Sequence, residues 1–323
     1  MNRFVRRILG AMLLGVFVYG AFVLYTGLGK IRESLAHFES SAFALALALA
    51  SANYLIRFAK WQYYLSRLGV RGVAWLDSLL VFLSGFVLTI TPGKVGEVFK
   101  SAVLARTHDV PAERTAPIVV AERLTDAIGV IALIVVGSGA FAGGLGWALA
   151  GTLAVAVGVA LIVWEAPGLT VVGWMEGRGG AFGRMGPRVR IALGSLRVVA
   201  GPAALLWPTV LSTVAWACEG VALFVLLRGF QATTPLGVAV FFYSTATLAG
   251  ALIPVPGGLG VAETMIQEQL VHLGGVPQGD ATAAMILVRF ATLWWAVLVG
   301  FMALAILRVR FPERLGTPGE TLS

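Results

Sequence analysis

The sequence predicts an all-α integral membrane protein with about six transmembrane helices plus two re-entrant helical hairpins, arranged as an inverted repeat. Three observations predict it. The 323 residues are 58% hydrophobic and only 12% charged, with a mean hydropathy of +0.88, whereas a soluble domain carries about 25% charge. Two apolar runs end in the same break, Pro92-Gly93-Lys94-Val95-Gly96 before Glu97 and Pro256-Gly257-Gly258-Leu259-Gly260 before Glu263. Glu97 and Glu263, Arg123 and Arg289, and Asn53 and Glu219 each lie 166 positions apart. Two breaks at corresponding places in two halves point to a transporter built from repeats.

The elements follow in order. Arg3, Arg6 and Arg7 precede an apolar run over 8–25. The run is long and no A-x-A cleavage site follows, so it reads as an uncleaved first span with a cytoplasmic N-terminus. Residues 27–40 read as a polar outer loop. The second span covers 41–64, with two alanine stripes, Ala42/Ala46/Ala50 and Ala44/Ala48/Ala52, suited to close helix contact. Asn53 interrupts it. Arg57 and Lys60 are expected to snorkel to the inner surface beside Trp61, Tyr63 and Tyr64 as interface aromatics.

Residues 76–90 enter as the first arm of hairpin one, and 93–107 leave as the second. A proline lacks the helical N–H and a glycine admits a sharp turn, so Pro92, Gly93 and Gly96 form the tip. The third span, 115–141, carries Glu122, Arg123 and Asp126. A glycine turn at 143–146 leads to a fourth span through Trp164. The basic loop 165–198 is expected inside, with a surface helix near 188–199. The fifth span, 203–227, contains Glu219. Hairpin two covers 236–270, turning at Pro254, Pro256, Gly257, Gly258 and Gly260. The last span, 281–307, contains Arg289, and a polar tail follows. On this topology nineteen of the 24 Lys+Arg residues lie inside, as the positive-inside rule requires, so both termini are cytoplasmic. Hairpin one then opens inward and hairpin two outward.

The units are an anchor helix (1–34), a first repeat (35–142, hairpin 76–107), a connecting helix and basic loop (143–202), a second repeat (203–310, hairpin 236–270) and a disordered tail (311–323). Nucleic acid is a poor explanation of the +8 charge, because most cations sit in short loops beside apolar segments. The lone Cys218 precludes an intramolecular disulfide and reads as a packing residue. His37, His108 and His272 have no ligand spacing, so neither a metal nor a cofactor is expected.

Thr91-Pro92-Gly93-Lys94-Val95-Gly96-Glu97 with Lys100 and Arg106, Glu122-Arg123-Leu124-Thr125-Asp126, and Pro254-Val255-Pro256-Gly257-Gly258-Leu259-Gly260-Val261-Ala262-Glu263 resemble the lysylphosphatidylglycerol synthase/flippase transmembrane family. The resemblance covers roughly residues 35–310. It implies movement of a lipid or lipid-linked headgroup between leaflets. Family members that aminoacylate lipid carry an added soluble synthetase domain, and none is expected here.

A charge inside a span costs at least about 2.5 kcal/mol, so Arg123 and Arg289 need partners or water. They either hold a lipid phosphate through the guanidinium fork or tie helices together, Arg123 through Asp126. Glu97 and Glu263 either satisfy helix N-termini or bind a cationic headgroup or a coupling proton. Glu122 and Asp126 are four apart on one face, with Arg123 to neutralise them. Glu219 must find its partner on another helix, Arg289 or the hairpin. Lys94 lacks the glycine spacing and following Ser/Thr of a nucleotide phosphate loop and reads as a loop lysine. Trp216, Trp294 and Trp295 read as packing or lipid-facing aromatics.

The expected function is a lipid flippase of the bacterial or archaeal cytoplasmic membrane, not an enzyme, whose substrate is a phospholipid, glycolipid or polyprenyl-phosphate lipid. The alternatives are an intramembrane enzyme on a lipid-linked phosphate or sugar, and an ion-coupled small-solute carrier. Candidate partners are a second copy of the chain and a separately encoded lipid-modifying enzyme.

Overall fold

The computed structural model describes residues 3–90, 97–139, 146, 149, 153, 181–253 and 255–315. Among them the chain is helical almost throughout. The elements are α1 (Arg3–Thr26), α2 (Leu28–Ala36), α3 (Ser40–Arg67), α4 (Trp75–Ser84), α5 (Phe99–His108), α6 (Ala112–Thr115), α7 (Pro117–Ser138), α8 (Ala181–Ala200), α9 (Pro202–Gly229), α10 (Leu236–Leu252), α11 (Val261–Glu268), α12 (Gln278–Arg289), α13 (Trp295–Arg310) and α14 (Pro312–Leu315). Among the described residues three helical stretches are long and apolar enough to cross a membrane, Ser40–Arg67, Ala203–Gly229 and Gln278–Arg310. The bent pair Leu13–Thr26 and Leu28–Ala36 makes a fourth if it is one span. The chain is an integral membrane protein.

The centre is the antiparallel pair α3 and α9. At one end a Cβ on Gly229 would lie 2.7 Å from that of Ala42. Further along, Asn53 Nδ2 donates to the Ala215 carbonyl at 2.7 Å, and Lys60 Nζ donates to Ser212 Oγ at 2.8 Å. Numbers rise in one helix as they fall in the other. Small residues permit the approach. Ala42, Ala46 and Ala50 are buried, and in membranes such contacts replace the missing hydrophobic drive between helices. The second stripe does not pack this way, since Ala44 and Ala48 are exposed.

The outer helices cross over. On α7, a Cβ at Gly137 would meet the Gly237 carbonyl of α10 at 2.9 Å. On α13, a Cβ at Gly300 would meet the Val87 nitrogen, in the 3-10 turn Gly85–Leu88 that continues α4, at 2.6 Å. Thus α7 rests on α10, and α13 rests on the turn that continues α4.

Both broken segments fold back on themselves. In the second, Gly250 lies against Gly258 and Ala262, and Thr245 Oγ1 donates to Gln269 Oε1 at 3.1 Å, so α10 and α11 run antiparallel. In the first, Gly85 lies against Lys100, and Asp77 stands 3.9 Å from His108 at the open end. The second turn needs its glycines, because Gly257, Gly258 and Gly260 have φ of 62°, 68° and 85°, left-handed conformations that L side chains resist. The open ends lie at opposite ends of the α3–α9 pair. The first sits where the Leu68 carbonyl accepts from Arg114 and Arg310 Nε donates to Asp77 at 2.8 Å. The second sits where α9 finishes against Phe38. The turn of the second segment approaches Ile90, the last described residue before the break of the first. A Cβ on Gly257 would lie 3.6 Å from Ile90 Cα, and Ile90, Leu259, Leu293 and Val297 form one buried cluster.

Two expectations change. Residues 27–40 are not a loop: α2 turns 90° from α1 and buries Ile31 and Ser34 against α12 beside Gly279. It is an amphipathic helix whose polar face made it look like a connector. The surface helix expected over 188–199 begins earlier, at Ala181. The expected fourth span, the first tip (Pro92, Gly93, Lys94, Gly96), Pro254 and residues beyond 315 lie outside the described residues.

Candidate functional site

Arg289 and Glu263 form one closed unit with the second turn. Arg289 ends α12, where the π-helical turn Phe290–Trp294 begins. Its Nε donates to Glu263 Oε1 at 2.6 Å and its terminal NH2 to the Gly257 carbonyl at 2.8 Å. Glu263 is the third residue of α11, and its Oε2 accepts from the Gly260 N–H at 2.8 Å. Helix-end capping and ion pairing are therefore both satisfied by one carboxylate, which is fully buried. Tyr19 of α1 donates to Glu263 Oε1 at 3.4 Å and accepts from Trp294 Nε1 at 2.9 Å.

The first repeat holds a larger network. Arg123 lies 2.7 Å from Glu97 and 3.2 Å from Asp126. Asp126 also accepts from Lys60 Nζ at 2.5 Å and from Ser212 Oγ at 2.9 Å. Lys100 pairs with Glu122 and stands over the Trp61 ring at 4.6 Å. Arg57 reaches towards Glu97 and Asp126, at 3.8 and 3.7 Å.

Near the approach of Gly257 to Ile90, an open cavity of about 70 Å³ lies among α3, α9, α10 and α12. Arg57, Glu97, Glu219 and Arg289 line it, together with Tyr54 and Tyr243. Tyr243, on hairpin two, donates to Glu219 Oε2 at 2.6 Å, so the hairpin does partner Glu219. Tyr54 donates to the Thr292 carbonyl at 2.9 Å. Gly257 and Gly258 also face the cavity, whereas Arg123, Asp126, Glu122, Asn53 and Glu263 stand behind its walls. Trp216 lines it as well, while Trp295 Nε1 donates to Ser51 Oγ at 3.1 Å.

Arg57 and Lys60 do not snorkel. Lys60 is fully buried, as are Trp61 and Tyr64. Carboxylates on α7 and at Glu97 draw the cations inward, a cause that the α3 sequence cannot display. One signal was available: Glu122 and Asp126 give two negatives against the single Arg123, and Arg57 and Lys60, three apart on α3, face one side. Tyr19, in an apolar run, carried no signal.

Among curated proteins none matches the chain. A family match spans residues 12–300, under the description lysylphosphatidylglycerol synthase TM region. It covers both hairpins, the α3–α9 pair and every charged residue lining the cavity, and the chain belongs to this family.

Proposed function

We propose that the protein is a lipid flippase that moves a lipid or lipid-linked headgroup between leaflets and makes or breaks no bond in it. The observation that carries this reading is the cavity. It is lined by two arginines and two glutamates, drawn from both proposed repeats, close to where Gly257 approaches Ile90. Polar groups inside a membrane protein mark substrate pathways when they line a wet cavity, and irregular backbone at that depth is tolerated there. The family supports a membrane lipid as the substrate class.

The proposed topology has six crossings with both termini cytoplasmic and inverted repeats over 35–142 and 203–310. The hairpins enter from opposite faces. Their open ends at opposite ends of the α3–α9 pair support this. The headgroup crosses through the cavity while the chains stay in lipid, and rocking of the halves alternates access.

The test is leaflet transfer of a fluorescent phospholipid in reconstituted vesicles. Ala251, at the cavity and exposed, offers a plug. Ala251→Trp should abolish transfer with unchanged thermal unfolding. Wild-type transfer in the plugged variant would remove the cavity from the path. Recovery of a chemically altered lipid would instead favour an intramembrane enzyme.

A further inference from the structure

We propose that α14 and the end of α13 form a releasable latch across the open end of the first broken segment, and that opening it frees the arm that reaches the cavity. The effect on lipid movement rests on the transport reading above, whereas the latch itself does not. Two arginines carry it, Arg310 at the end of α13 and Arg314 on α14.

Each arginine holds a different arm. Arg310 Nε donates to Asp77 Oδ1 at 2.8 Å. Asp77 sits in the first turn of α4, where the helix dipole favours a carboxylate. Arg314 Nη1 donates to the Arg106 carbonyl at 3.3 Å, to the Thr107 carbonyl at 3.0 Å and to Asp109 Oδ2 at 2.7 Å. Those carbonyls belong to the last turn of α5, where no intrahelical donor remains for them. The arms face each other directly through His108 and Asp77, but at 3.9 Å, too long for a hydrogen bond. Among the described residues the hydrogen bonds at this end therefore run from each arm to the latch. Apolar contact completes it: the Phe311 ring stands edge-on to His108 at 5.3 Å, and Phe311 and Leu315 pack on the cluster that contains Leu104 of α5.

These contacts can let go. The side chains of Arg310 and Arg314 are 43% and 45% exposed and that of Asp109 is 78% exposed, so water competes for each bond. Phe311 leaves the helix, with φ −128° and ψ 60°, and separates α14 from α13, which stays anchored through the buried Leu304 and Leu307. Elements with few buried contacts and exposed hydrogen bonds are those that open locally. The consequence lies at the far end of the same arm. From Asp77, α4 runs into the 3-10 turn Gly85–Leu88, and Phe86 and Thr89 line the cavity. With Asp77 released, α4 tilts and carries those two residues with it.

The experiment measures the distance between the arms by pulsed electron-spin resonance on the full-length chain in lipid nanodiscs. Spin labels go on Leu76→Cys and Arg106→Cys in a Cys218→Ala background, since both side chains are exposed. This parent should give one narrow distance. Arg310→Gln and Arg314→Gln should each add a second, longer distance, whereas Arg308→Gln, exposed at the same helix end, should not. Should an arginine variant fail to fold, Asp109→Asn removes the charge of the most exposed partner, and asparagine accepts its left-handed φ of 57°. In reconstituted vesicles the latch variants should speed leaflet transfer of a fluorescent phospholipid severalfold. An unchanged distance in every folded latch variant overturns the latch. Separated arms with unaltered transfer overturn its control of the cavity. A parent that transfers no lipid sinks the transport reading, and the distances then still decide the latch.

Discussion

Arg289 reaches back 26 residues to Glu263, Nε to Oε1 at 2.6 Å. Arg123 makes the equivalent contact to Glu97 across the same 26 residues, at 2.7 Å. In both cases the helix that follows a broken apolar segment grips the carboxylate next to the break. The two pairs differ in setting, because the Arg289 side chain is 10% exposed and that of Arg123 is 29% exposed.

That difference predicts unequal consequences of removing the arginine. Arg289→Gln leaves Glu263 buried and unpaired and frees the Gly257 carbonyl, which should cost about 3–5 kcal/mol of stability. Arg123→Gln should cost less, about 1–2 kcal/mol, since Arg57 and Lys60 still face the carboxylates it serves. Thermal unfolding in detergent ranks the two. In the double variant Glu263→Gln/Arg289→Gln part of the loss should return, and strict additivity would show the pair to be uncoupled.

The second turn should resist any side chain. At Gly258 the backbone is left-handed, and a Cβ would also lie 3.3 Å from Gly250. Gly258→Ala should cost about 1–2 kcal/mol from backbone strain alone. Gly20, with nothing within 4 Å of its Cβ position, serves as the control. Equal unfolding temperatures for Gly258→Ala and Gly20→Ala would contradict the turn geometry.

Lys60 offers a sharper stability test, because it is the cation the sequence misplaces. Lys60→Met removes the 2.5 Å partner of Asp126 and a donor to Ser212. The expected loss is about 3–5 kcal/mol. A lysine that merely snorkelled to the headgroups would tolerate methionine within about 0.5 kcal/mol.

The contrast shows what the sequence carries. The two ion pairs were legible, because Glu97/Glu263 and Arg123/Arg289 share one 166-residue offset and so one internal spacing. The glycines of the second turn were legible because backbone conformation is local. Contacts unique to one repeat were not. Lys60 and Arg57 have the chemistry of membrane-surface cations, and only carboxylates packed on α3 from other elements decide otherwise. Likewise α2 reads as a loop until α12 supplies the surface that buries Ile31 and Ser34.

The remaining prediction concerns which way the hairpins enter. A segment that crosses the membrane puts its ends on opposite faces, and a re-entrant one puts both on the same face. In a Cys218→Ala background, single cysteines at Trp75 and His108 mark the open end of the first hairpin, and cysteines at Leu236 and Gly275 mark that of the second. In sealed vesicles of one orientation an impermeant maleimide should label the first two from one face and the last two from the other. The open ends lie at opposite ends of the antiparallel α3–α9 pair, so a single cysteine at Arg67 should label with the first pair. Trp75 and His108 labelling from opposite faces would make the first segment a full crossing. The proposed entry of the two segments from opposite faces would then fail, and the proposed inverted repeat with it.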